Sequence, residues 1–185
     1  MVIIAILYKR ELCMKKLSAF ILSGTLIACT TQADTTLSFG ADFKIALPPQ
    51  VFVGATVFAA DELSVKTASG QLFSGKVLSA ESEQLPADFD MQLYPQYVLK
   101  IKTVSGLSTQ NAQLFSNTAD EINYSFDLAD VSTEQLQGWT LYSLCKAQRC
   151  LAYVVKHKAA EYILTVHANG MDKTEFTGLV KAGLQ

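Results

Sequence analysis

The chain has 185 residues, half of them hydrophobic, with 15 basic against 17 acidic side chains and four cysteines. That is one domain's worth of chain, with enough apolar content for a packed core. An excess of acid excludes nucleic acid as a partner class and gives no general electrostatic hold on anionic lipid.

Residues 1–13, Met-Val-Ile-Ile-Ala-Ile-Leu-Tyr-Lys-Arg-Glu-Leu-Cys, hold an apolar block too short to span a bilayer, broken by Lys9, Arg10 and Glu11. They read as a start codon assigned too early, with translation beginning at Met14. Lys15 and Lys16 then form a positive region, followed by the apolar run Leu17 to Ala28, which ends in Leu26-Ile27-Ala28-Cys29. A run of about a dozen residues has the length of a signal-peptide core. The stretch resembles the signal and lipobox of bacterial lipoproteins: an aliphatic residue three before the cysteine, and a small residue just before it that lets a membrane peptidase reach the backbone. The resemblance implies cleavage before Cys29 and acylation there. Two or more acyl chains anchor stably where one does not. In that family Asp after the cysteine marks inner-membrane retention. Here Thr30 follows, implying the outer membrane with the domain facing the periplasm.

Losing Lys9, Arg10, Lys15, Lys16 and Glu11 with the signal leaves 11 basic and 16 acidic residues, net −5. Of the cysteines, Cys13 is removed and Cys29 is lipidated, so Cys145 and Cys150 remain as a pair for an oxidising compartment. Residues 30–36 are polar and aperiodic, a tether that with Cys29 spans 29–36. Seven residues reach at most about 25 Å.

Residues 37–185 read as a single domain. Leu37, Phe39, Ala41, Phe43, Ile45 and Leu47 alternate with polar residues, predicting one long half-buried strand stopped by Pro48-Pro49. Val51 to Phe58 is a second β-prone run. Leu63 to Thr67 and Leu72 to Leu78 flank Ala68-Ser69-Gly70 as a hairpin. Glu81 to Tyr94 reads as a loop, and Tyr97, Leu99, Ile101 and Thr103 as renewed strand alternation. Leu107 to Ala119 reads as a short helix capped by Ser108 or Thr109. Ile122, Tyr124 and Phe126 look like one face of a strand, and Ser132-Thr133-Glu134-Gln135 like a capping box with one helical turn.

The last third is the clearest. Trp139 to Cys145, Cys150 to His157 and Tyr162 to Ala168 read as three strands in series. Closing the first hairpin with Cys145 opposite Cys150 sets Leu144 against Leu151 and Tyr142 against Tyr153. Pairing His157 with Tyr162 sets Val155 against Leu164 and Tyr153 against Val166. One apolar face then runs through Tyr142, Leu144, Leu151, Tyr153, Val155, Tyr162, Leu164 and Val166. Asn169-Gly170 turns the chain into a helix capped by Asp172, with Phe176, Leu179, Val180 and Leu184 on one side. The expectation is an α+β fold, mainly antiparallel sheet with a C-terminal helix packed on it. The closing strand, turn and helix resemble the ends of Mog1/PsbP-like lipoprotein domains over about 25 residues, with no diagnostic motif, and no function is carried over.

Few residues suggest chemistry. Opposed cysteines at a hairpin end suit a structural disulfide, worth about 2 kcal/mol for so short a loop. The alternative is a redox couple, to which Lys146 and Arg149 would contribute by favouring thiolate. In the register above, His157 and His167 lie about 17 Å apart on opposite faces and cannot share a metal. Asp61-Glu62 and Asp120-Glu121 are poor acid–base pairs, and no nucleophile elbow, phosphate loop or dinucleotide fingerprint is present. Trp139, Tyr142 and Tyr153 read as core. Catalytic, cofactor-binding and metal-ligating residues are therefore expected to be none. Glu81 to Glu134 holds nine acids against Lys100 and Lys102, whereas Leu141 to Gln185 holds six bases against three acids. The leading expectation is a non-catalytic lipoprotein that binds an envelope protein or wall component. The alternatives are an inhibitor of a periplasmic hydrolase, presenting the Lys146–Arg149 tip, and an enzyme of unknown type.

Overall fold

A computed structural model describes residues 35–184. The signal, Cys29 and most of the tether lie outside the described residues. The first two elements are β1 (Thr35–Gly40) and β2 (Phe43–Leu47), paired antiparallel with Thr35 opposite Leu47. The single strand expected from Leu37 to Leu47 is thus a hairpin. Ala41 and Asp42 reverse the chain at φ 46° and 63°. Leu37, Phe43, Ile45 and Leu47 are all buried, so the alternation runs on through the turn and conceals it. Thr35 and Thr36, counted with the tether, are the first residues of β1.

A tight 3-10 turn at Pro49–Phe52 leads into the main sheet. Its strands are β3 (Thr56–Ala59), β4 (Leu63–Lys66), β5 (Leu72–Ser79), β6 (Ser132–Leu136), β7 (Trp139–Lys146), β8 (Arg149–Lys156) and β9 (Tyr162–Asn169). They lie in the order β3-β4-β5-β9-β8-β7-β6, every pair antiparallel. The helices are α1 (Tyr94–Val98), α2 (Thr109–Ser125) and α3 (Lys173–Gly183). The result is a single α+β domain with a core on each side of the sheet.

One core lies under α3 and the β1–β2 hairpin. Phe176 and Val180 of α3 meet Ile45, Leu47, Leu141, Val154, Leu164 and Val166. Asp172 caps α3 as expected, accepting from the Glu175 N–H at 2.8 Å. Gly183 has a packing reason: a Cβ there would sit 2.4 Å from Ile45 Cγ2 and 2.6 Å from the Ala46 carbonyl oxygen. The hairpin seats Phe39 over Gly75 in the same way and Phe43 against Trp139, ring centroids 5.7 Å apart.

The other core is aromatic. Tyr94 and Tyr97 of α1 and Phe115 of α2 pack on Tyr142, Leu144, Leu151, Tyr153 and Ile163. Tyr97 to Thr103 is not a strand. Pro95 sits in the first turn of α1, where its missing N–H costs nothing, and Ile101 is exposed in the loop beyond. Ser108 caps α2 as expected, but the helix runs on to Ser125 and takes in Ile122 and Tyr124. Phe115, Ala119 and Ile122 are its buried stripe at helical spacing, while Tyr124 is 90% exposed. Ser132 to Gln135 does not turn into a helix but forms β6, paired with β7 from Ser132↔Ser143 to Leu136↔Trp139.

The β7–β8 register is as read, with Cys145 opposite Cys150 and Tyr142 opposite Tyr153. The β8–β9 register is one residue off: Tyr153 faces Thr165, Val154 faces Leu164 and Ala152 faces Val166. Such a slip moves a whole strand's side chains to the other face. Ile163 therefore enters the aromatic core, and Leu164 and Val166 join the core under α3. Strands β7 and β8 are buried on both faces, so alternation alone does not choose between the two registers.

Candidate functional site

Strand alternation places Ser64, Ser74, Thr165 and His167 on the α1–α2 side of the sheet, opposite Val65, Phe73, Val166 and Ala168. Among the described residues the helices pack on that side over β7, β8, the start of β9 and the end of β5, and the aromatic core does not extend over β3, β4, the start of β5 or the end of β9. Register sets one rung there as Phe58, Ser64, Ser74, His167 and Leu151 across β3, β4, β5, β9 and β8. Ser64, Ser74 and Thr165 are buried at its floor, whereas Phe58, Glu62, Lys66, Lys76, His167 and Asn169 are exposed around them. The arrangement is a polar trough: small hydroxyl residues recessed between long side chains. At one end a hollow of about 310 Å³ is lined by Leu72, Phe126, Arg149, His167 and Asn169.

Within the trough, the Ser64 hydroxyl donates to Glu62 Oε1 at 3.2 Å, and Thr165 Oγ1 lies 3.4 Å from His167 Nε2. Desolvation against the sheet pushes His167 below the usual imidazole pKa, partly opposed by the Glu62 carboxylate. His167 is thus a neutral donor–acceptor at neutral pH. A catalytic triad sets the histidine between nucleophile and acid. Here the strand order is acid on the β4 side, Ser74 on β5 and His167 on β9. The trough offers hydroxyls, an imidazole, an amide and charges of both signs along about four strand spacings, a surface suited to an extended polar chain.

The other predicted residues fall elsewhere. Cys145 and Cys150 are joined as a disulfide, with Cα atoms 4.2 Å apart. The tip between them is exposed at its side chains, but its backbone is held: Gln148 O accepts from the Gly170 N–H at 2.8 Å. His157 binds Thr140 Oγ1 at 2.9 Å. Thr140 gives its one hydroxyl proton to Gln135 Oε1 at 2.9 Å, so His157 Nε2 is the donor. The two histidines share one face of the sheet rather than opposite faces, because of the β8–β9 slip. They are about six residues apart along the strand direction, roughly 20 Å. Among the described residues no group of three or more histidine, cysteine or carboxylate side chains could hold a metal. Asp61 and Glu62 lie in the β3–β4 connection and Asp120 and Glu121 on α2, all exposed. Trp139, Tyr142 and Tyr153 are core, as read.

Beneath the helices the phenols are structural. Tyr94 donates to Glu83 Oε2 at 2.6 Å. Burial, followed by the neighbouring Tyr153 and Glu83, raises the Tyr94 pKa well above the usual phenol value. Burial raises Tyr153 too, with Glu83 adding to it. Both phenols stay protonated, Tyr94 as the donor to Glu83. A second hollow of about 300 Å³ lies between α2 and the loop after α1, walled by Tyr97, Phe115 and Val104. Lys102 lies 5.4 Å over the Tyr97 ring, and Lys100 is paired with Asp120 at 2.9 Å.

The trough was missed from the sequence because its residues lie on three strands distant in the chain. The usable signal was small and hydroxylic residues at alternate positions, Ser64, Ser74 and Thr165, where a buried strand face would carry aliphatic ones. No family model matches the chain, and no curated protein matches it.

Proposed function

We propose that this protein is a lipid-anchored envelope binding module. Cys29 carries the anchor in the outer membrane, and the polar trough faces the periplasm and receives an extended segment of an envelope protein or wall polymer. The observation that carries the reading is the divided sheet face. One half is sealed by aromatic packing, and the other is left open with buried hydroxyls and exposed charged and imidazole groups. A face left open at a cost in burial is a surface to be covered by something else. The order of signal, lipobox and polar tether supports the anchor.

The test is crosslinking in intact envelopes followed by capture of the lipidated protein. A variant carrying Lys76→Glu and His167→Glu, both at exposed rim positions, is expected to remain folded and anchored and to lose the captured species. Equal capture by the variant contradicts the reading.

The disulfide-backed tip favours a second reading, a rigid loop that blocks a periplasmic hydrolase. Lys146 and Arg149 are exposed on either side of it. In that case capture yields one stoichiometric hydrolase and depends on Lys146 and Arg149 rather than on Lys76 and His167.

A further inference from the structure

We infer that the β3 edge is a second membrane contact, a patch that rests on the lipid surface and stands the sheet upright on it. The inference builds on the lipid anchor proposed above.

Strand β3 is exposed along its whole length and, among the described residues, has no strand on its outer side. Val53 is 68% exposed, Val57 42% and Phe58 51%. The stretch from Val51 to Ala60 carries no charged residue. An apolar, uncharged edge with free backbone donors and acceptors is a hazard unless something covers it. The opposite edge, β6, is handled differently: its Glu134 pairs with Lys181 at 3.0 Å.

The chain's point of entry indicates what covers β3. Five residues, Thr30 to Asp34, separate Cys29 from β1. They reach at most about 18 Å. Thr35 lies directly opposite Leu47. From Leu47 the chain goes through successive close turns, Val51 N–H to Pro48 O, Val53 N–H to Gln50 O and Ala55 N–H to Phe52 O. The patch therefore begins six residues past Leu47, the partner of the entry residue, along a path folded back on itself by those turns.

Charge agrees. Residues 35–80 carry Lys44, Lys66 and Lys76 against Asp42, Asp61 and Glu62, an even balance. The nine acids between Glu81 and Glu134 belong to the α1–α2 layer and β6. That layer packs over β7 and β8, and β6 lies six strand spacings from β3, about 29 Å. With β3 on the bilayer, the acidic pole points away from anionic headgroups and the trough opens sideways, parallel to the membrane.

The test uses the full lipidated protein in phosphatidylethanolamine–phosphatidylglycerol vesicles, with and without brominated acyl chains. Phe58→Trp adds a reporter at an exposed site, and Val53→Trp adds a second. Trp139, the chain's only tryptophan, is buried on β7 and serves as the internal reference. The expected result is a blue shift and loss of the added emission with brominated lipid in both variants, with wild-type emission unchanged. Co-flotation with unquenched reporters overturns the patch and leaves the anchor standing. Failure of the wild type to co-float overturns the anchor, and the patch falls with it. Reporters shielded from acrylamide but not quenched by bromine, in a protein that sediments as a dimer, assign the edge to a second copy and also overturn the proposal.

Discussion

The two halves of one sheet face are built differently. Over β7 and β8, Tyr142, Leu144, Leu151 and Tyr153 are sealed by Tyr94, Tyr97 and Phe115, with Tyr94 and Phe115 centroids 5.7 Å apart and Tyr97 and Phe115 at 4.9 Å. Over β4 and the adjoining parts of β5 and β9 the same face carries Ser64, Ser74, Thr165 and His167, which lie outside that aromatic core. The difference teaches that α2 is a partial cover. It is long enough to close the aromatic core and ends at Ser125, where the hollow by Phe126 and Arg149 begins. Stability should therefore be concentrated in one half and recognition in the other.

The largest test of that division is Phe115→Ala. It removes the ring shared by Tyr94, Tyr97 and Phe89, and is expected to cost about 3–5 kcal/mol in denaturant unfolding. A cost below about 1 kcal/mol would mean the helices do not seal the face. Next comes the disulfide. Replacing Cys145 and Cys150 with alanine is expected to lower stability by about 2 kcal/mol. Arg149 reaches the Ser125 carbonyl at 3.5 Å across the end of the trough, so this variant also tests whether that end needs a fixed hairpin. Tyr94→Phe leaves the ring packing and removes the hydrogen bond to Glu83, for an expected loss of about 1.5 kcal/mol.

The smallest expected effect belongs to the open half. His167 has a folded pKa below its unfolded value near 6.5. Below that value the unfolded chain binds the proton more readily. Its contribution is therefore fully present above pH 6.5 and is lost as pH falls toward the folded pKa. His167→Gln should flatten the stability profile between pH 5 and 7 while leaving stability at pH 8 nearly unchanged. An unchanged profile would place the imidazole in ordinary solvent.

The same contrast explains what the sequence made legible. The β4–β5 hairpin, the β7–β8 register, the disulfide pair and α3 each rest on local signals: Gly70 in a turn, two cysteines at a hairpin end, Asp172 at a cap. The α1–α2 layer does not. α1 is only five residues long, and α2 is rich in Thr, Asn and Ser, whose weak helix propensity is overridden by the stripe Phe115, Ala119 and Ile122. Tyr124 imitates strand alternation between Ile122 and Phe126 although it faces solvent. The β8–β9 slip has a related origin, since strands apolar on both faces pair almost equally well in adjacent registers until Ile163 must fill the aromatic core. The trough was illegible because its parts meet only through register.

The most direct measurement of the central claim places a photoreactive side chain at Lys76, on the trough rim, or at Gln113, on the exposed outer side of α2. Each protein is expressed with its own signal and irradiated in intact cells. The account predicts a discrete adduct from Lys76 that disappears when His167→Glu is added, and none from Gln113. Adducts of equal yield from both positions, or an adduct from Lys76 indifferent to His167→Glu, would contradict it.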